Sequence, residues 1–205
     1  MHGVLGGAIV IRVLFVHDTC LLRSALAALL DRENDLDVMT APWRTAAHSA
    51  RSLRPDVCMV DADCPGSAAL GTPAAPTELS ALLVLASASK PGLLRRASRA
   101  RAMGYVNKDA PAEGLPRAIR HVAAGKRFVD NSLGFDFLQA ADLPLTPREL
   151  SVLSLAAEGA SVAEIASHLH LSNGTVRNYM AAITRKTGAR NRVDAIRISQ
   201  GAGWL

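Results

Sequence analysis

The chain has 205 residues, 49% hydrophobic, 20% charged and only 4% aromatic, a composition that excludes a disordered chain and calls for a core of Ala, Leu and Val. Lys and Arg number 23 against 18 Asp and Glu. From Ser172 onward six basic residues (Arg177, Arg185, Lys186, Arg190, Arg192, Arg197) stand against one acid, Asp194, so the last 34 residues carry the whole excess of +5 and point to a polyanion, nucleic acid before membrane.

The longest uncharged apolar stretch in mid-chain, 79–89, falls short of the roughly 20 apolar residues that cross a bilayer. Residues 1–11 lack a Lys or Arg n-region. The expectation is a cytoplasmic protein with no membrane partner. Cys20, Cys58 and Cys64 form neither an even set nor a CxxC pair and are read as free thiols in a reducing compartment.

Up to about residue 125 apolar runs alternate with amphipathic patterns. IRVLFV at 11–16 predicts a buried strand, and Leu22, Leu26, Leu29 and Leu30 at helical spacing predict a helix over 21–31. A second strand at 36–40 and a helix at 45–53, ended by Pro55, follow. VCMV at 57–60 is the third strand, set between Pro55 and the Pro65-Gly66 turn. The segment 66–76 is rich in breakers and reads as a loop. Then come a fourth strand at 82–85, a basic helix at 91–103, a short fifth strand at 105–106 and a helix at 115–124. Strands joined by helical crossovers make a doubly wound α/β domain over 1–125, its parallel sheet covered on both faces. Over 126–143 no period dominates, which predicts a linker with a helical turn near 135–140.

In such a sheet the ligand site lies beyond the carboxyl ends of the strands, where Asp18, Asp61 and Lys108 fall. Paired carboxylates at one crevice favour a hard cation such as Mg²⁺, and a nearby ammonium neutralises an added phosphoryl group. Asp63 is read as solvated. His168 and His170, two apart on a helix, face different ways and make no metal site. No Ser/His/Asp set, Walker loop or GxGxxG is present, so the chain is not read as an enzyme.

The remaining residues, 144–205, predict an all-α domain of four helices. Thr146-Pro147-Arg148-Glu149 is a capping box that starts a helix ended by Gly159. A second helix at 162–169 follows Ser161. A third, at 173–186, starts after Ser172, so closely joined that the pair forms a helix-turn-helix. A last helix spans 193–199, with Asn191 as its cap. On the third, Val176, Tyr179, Ile183 and Met180 turn inward, leaving Arg177, Asn178, Ala181 and Arg185 outward. Arg177 and Asn178 are the candidates for reading bases, and Thr175, Lys186, Arg190 and Arg192 for holding phosphates of double-stranded DNA.

These residues carry a resemblance. VHD at 16–18, PDVCMVDADCPG at 55–66 and GYVNKDA at 104–110 resemble a response-regulator receiver domain. LTPRELSVLSLAAEG, SVAEIASHLHLSNGTVRNY and KTGARNRVDAIRI resemble a LuxR/NarL/FixJ-type helix-turn-helix domain, similar to the DesR-like branch. The resemblance implies that Asp61 accepts a phosphoryl group from a sensor histidine kinase, that Asp18 and Asp61 hold Mg²⁺, that Lys108 contacts the phosphoryl oxygens and that Tyr105 is a switching aromatic. It also implies a homodimer on DNA, with RNA polymerase downstream.

Two positions depart from the receiver pattern. His17 stands where a second acid is usual, and imidazole is a poor partner for a hard cation, so Mg²⁺ affinity is expected to fall. Ala86 stands where a Ser or Thr hydroxyl is usual, with Ser87 one residue later. The reading is therefore a DNA-binding transcription regulator with an atypical receiver controlled through Asp61. Its alternative is a phosphorylation-independent regulator whose receiver serves dimerisation, partner binding or ligand sensing.

Overall fold

The computed structural model describes residues 10–70, 72, 75–76, 80–88, 90–134, 137 and 143–205. The N-terminal reading, and all but residue 137 of the helical turn expected at 135–140, lie outside these residues. The chain splits into two compact units, 1–88 with 96–134 and 89–95 with 135–205.

The first unit is a parallel sheet of six strands, β1 (Ile11–Val16), β2 (Leu36–Ala41), β3 (Val57–Asp61), β4 (Ala81–Ala86), β5 (Gly104–Asn107) and β6 (Phe128–Val129), in the order β2-β1-β3-β4-β5-β6. Helices α1 (Cys20–Leu30), α2 (Trp43–Leu53), α3 (Pro91–Arg99) and α4 (Leu115–Ala123) supply the crossovers, residues 91–95 of α3 belonging to the second unit. Between β3 and β4 the described residues hold a 3₁₀ turn at Pro65–Ala69 and no α-helix. Every residue of β3 is buried, as its unbroken apolar run requires of a central parallel strand. Phe15, Met59, Leu83 and Ile119 are at most 2% exposed in the core between sheet and helices, each burial contributing roughly 1.5–3 kcal/mol.

Most boundaries of this unit lie within a residue of the sequence reading, and the larger differences have physical reasons. Helix α2 begins two residues early, because Pro42 with its fixed φ sits at the N-cap. Helix α3 stops at Arg99 and not near 103, the chain reversing through Arg101 at φ +58°. A sixth strand lies within the stretch read as linker. Its two residues pair with Gly104 and Tyr105, and two residues are too few to display a period.

The second unit holds α5 (Pro147–Ala157), α6 (Val162–Leu169), α7 (Asn173–Thr187) and α8 (Arg192–Gly201). The capping box at Thr146 and Glu149 is formed, and Ser161 with Glu164 forms another on α6. Ser172 caps α7, and Asn191 caps α8 by accepting from the Asp194 N–H. Gly188 ends α7 in the left-handed region at φ +67°, which a side chain resists. The core is Val152, Leu153, Ile165, Val176, Ile183 and Ala195, with Tyr179 only half-buried at its edge. Among the described residues no helix is long and apolar enough to cross a membrane.

Candidate functional site

Strand register brings the pocket of the first unit together. Val16 pairs with Val60, so His17 and Asp61 leave the sheet side by side; Ala86 pairs with Asn107, which delivers Lys108 to the same edge. The ammonium of Lys108 donates to both oxygens of Asp61 at 3.0 Å, and the Asp63 N–H donates to Oδ1 at 2.8 Å. His17 Nε2 lies 3.5 Å from Oδ2. His17 and Asp61 are each 7% exposed. Lys108 also pairs with the Asp63 carboxylate, to which the Ser87 hydroxyl donates at 3.4 Å. Burial opposes the charge on Lys108, but its bonds to Asp63 and Asp61 outweigh that cost and raise its pKa. Asp63, read from the sequence as solvated, is thus a member of the pocket, with Ser87 behind it. The signal was Asp63's position two residues past a strand end.

Asp18 does a different job. Helix α2 has proline at its N-cap and so no capping side chain of its own; Asp18 Oδ1 accepts the Trp43 N–H at 3.0 Å and supplies the cap from the β1–α1 loop. Arg23 fixes that loop by donating to the carbonyls of His17 and Asp18 at 2.6 and 2.9 Å.

The imidazole of His17 is fixed as well. Its Nδ1 accepts the Thr19 N–H at 2.9 Å, so the ring proton belongs on Nε2, the atom facing Asp61. The ligand atoms of His17, Asp61 and Cys64 lie within 4.8 Å of one another, and Asp18 is not of this group. These donors do not fit Mg²⁺, which takes oxygen ligands in an octahedron. The one carboxylate is already held by an ammonium, the imidazole presents a proton, and burial pushes the Cys64 thiol up. A softer ion meets the same proton, because a ligating imidazole donates through its other nitrogen, which here accepts.

Ala86 is fully buried within the sheet and carries no hydroxyl. Tyr105 is 6% exposed; burial raises its phenol pKa against a hydrogen bond from Ser98. Cys20 is exposed, Cys58 and Cys64 are buried, and all three are free thiols, that of Cys58 pushed to about 12 by burial.

In the second unit Gly174, Arg177, Asn178, Ala181 and Arg185 are exposed at the spacing of one face of α7. Among the described residues the guanidinium groups of Arg177 and Arg185 make no hydrogen bond or ion pair. Thr175 shares a hydrogen bond with the Ser172 hydroxyl at 2.8 Å. The other basic residues are engaged within the unit. Lys186 donates to the buried Glu149 at 2.8 Å, and Arg192 to the carbonyls of Ala156 and Ala160 at 3.0 and 2.6 Å. Arg190 and Arg197 pair with Asp194, whose pKa falls to about 2 through the Arg190 N–H and the Arg197 guanidinium.

Residues 143–199 match the family of bacterial regulatory proteins, luxR family. The chain is 51% identical to the response regulator RamR of Streptomyces coelicolor, over 95% of this chain and 98% of that one. It is 37% identical to the transcriptional regulatory protein DesR of Bacillus subtilis, over 95% and 99%. Among solved structures, the response regulator ChrA of a haem-sensing two-component system superposes with TM-score 0.56 at 26% identity, covering 96% of this chain and 100% of that one.

Proposed function

Because the chain belongs to the LuxR-family response regulators, DNA-binding transcription regulators of two-component systems and not enzymes, we propose that α7 reads DNA through Arg177 and Asn178. The observation that carries this is the pair of unpaired guanidinium groups on one exposed face of that helix. Arginine recognises guanine and asparagine adenine by paired hydrogen bonds in the major groove. Ala181 gives the groove floor room beside them. Arg185 and the largely exposed Arg190 take phosphates, with Thr175 at the helix N-terminus. Lys186 and Arg192 hold the unit together instead. The protein works as a cytoplasmic homodimer on two half-sites about one helical turn apart, with RNA polymerase as its downstream partner. The test is a gel shift of the full chain on genomic fragments; absence of any salt-sensitive retention overturns it.

The pocket controls that output, with Asp61 as the phosphoacceptor of a sensor histidine kinase. Its support is the convergence of Asp61 and Lys108 at one sheet edge. Mg²⁺ enters this reading only as a cofactor weakened by His17. The second reading, a receiver that signals without phosphorylation, draws on the same carboxylate being already held by Lys108, Asp63 and His17. Incubation with a small phosphodonor, followed by intact mass, separates them. An adduct lost in Asp61→Asn supports the first; an unchanged mass supports the second.

A further inference from the structure

We infer that the Asp61 pocket excludes divalent cations by construction, with the ammonium of Lys108 as its built-in counter-charge and the Nε2–H of His17 as a built-in proton donor. The inference deepens the receiver reading of this pocket and does not depend on Asp61 being phosphorylated. Three independent contacts carry it. The Thr19 N–H fixes the His17 tautomer, so the atom nearest Asp61 Oδ2 presents a proton and not a lone pair. Lys108 spans both Asp61 oxygens and is itself held by Asp63, so a cation entering here has to displace an ammonium gripped by two carboxylates. Asp18, the acid of the β1–α1 loop, is committed to the N-terminus of α2.

One substitution reverses the arrangement. His17→Asp removes the proton donor and adds an oxygen ligand beside Asp61, turning the pocket into one for a hard cation. Trp43 reports on it, since its own N–H binds Asp18 and its ring packs against Gly66. In the full chain Trp204→Phe leaves Trp43 as the sole tryptophan. The experiment titrates MgCl₂ into this protein, with and without His17→Asp, following Trp43 fluorescence and the thermal midpoint against EDTA. The expected result is no saturable change for His17 and a saturable change with a raised midpoint for His17→Asp, while His17→Gln stays silent. His17→Glu replaces His17→Asp if the latter does not fold. A saturable response of the His17 protein that Asp61→Asn abolishes overturns the inference. Silence of the folded acidic variants overturns the role given to His17. Gel retention of the unaltered chain, run separately, tests the DNA-binding reading, so failure here is distinct from failure of that reading.

Discussion

The ammonium of Lys186, on the helix that carries the exposed basic face, lies 2.8 Å from Oε2 of Glu149, a carboxylate 4% exposed at the start of α5. The same oxygen accepts from the backbone N–H and the hydroxyl of Thr146 at 2.7 and 2.9 Å. One acid therefore closes the α5 cap and ties α7 to α5. Removing one partner of a buried pair costs about 3–5 kcal/mol, and the partial exposure of Lys186 brings the expected loss for Lys186→Ala to about 1–3 kcal/mol. Urea unfolding of the variant measures it. Full stability with weakened binding to every DNA would return Lys186 to the phosphates.

Arg177→Ala is expected to lose about 1–3 kcal/mol on a bound genomic fragment and to relax preference at one base pair. Arg185→Ala weakens specific and random DNA alike. Equal effects of both variants on both kinds of DNA defeat the assignment, and fluorescence anisotropy on the two duplexes decides.

Gly104 opens β5 where a Cβ would lie 2.4 Å from Leu83 Cδ1 and 2.6 Å from Val122 Cγ2. Leu83 and Val122 are fully buried. Overpacking of this kind costs about 1–3 kcal/mol, so Gly104→Ala lowers the midpoint of thermal unfolding by that equivalent. An unchanged midpoint means that β5 has shifted to make room.

Acid stability follows from Glu149. Burial raises its pKa, yet the bonds from Lys186 and Thr146 outweigh this and leave it lowered. A carboxyl whose folded pKa is depressed contributes stability above its unfolded pKa of roughly 4.3 and loses it as pH falls through the folded value. Asp194, lowered to about 2, acts in the same direction at still lower pH. Urea midpoints taken from neutral pH downward fall across this range, and fall less steeply in Glu149→Gln. Parallel curves for the two proteins refute the role of Glu149.

Asp18→Ala removes the cap of α2 and is expected to cost about 1 kcal/mol. The loss is the same in MgCl₂ and in EDTA, because the acid serves a helix end and not a metal. A difference between the two conditions reverses that conclusion.

Much of the fold was legible because its signals are local. IRVLFV and VCMV are unbroken apolar runs that only buried strands accommodate, and the Thr146–Glu149 box is spelled within four residues. The outward face of α7 followed from helical spacing alone. What stayed hidden is what register and long-range packing decide. Lys186 and Arg192 were assigned to phosphates, and their bonds to Glu149 and Ala156 stayed hidden because those partners lie 37 and 36 residues away. Asp63 and Ser87 join the pocket only through the pairing of β3 with β4, in which Asp61 stands opposite Leu85. Asp18 was assigned from its place at a strand end, and its capping of α2 stayed hidden because nothing in its neighbourhood announces that Pro42, beyond the next strand, leaves a helix uncapped.

The engagement of Lys186 and Arg192 inside their own unit changes what a salt titration should find. Each neutralised phosphate releases about 0.9 of a condensed counterion, so six free cations would give a slope near −5 for log affinity against log salt. With Arg177 given to the bases, Arg185 unpaired and Arg190 shared with Asp194, each unit neutralises about one to two phosphates, and the slope per unit lies near −1 to −2. A regulator with so shallow a dependence draws less of its hold on DNA from the ionic atmosphere, and proportionally more from the bases it touches.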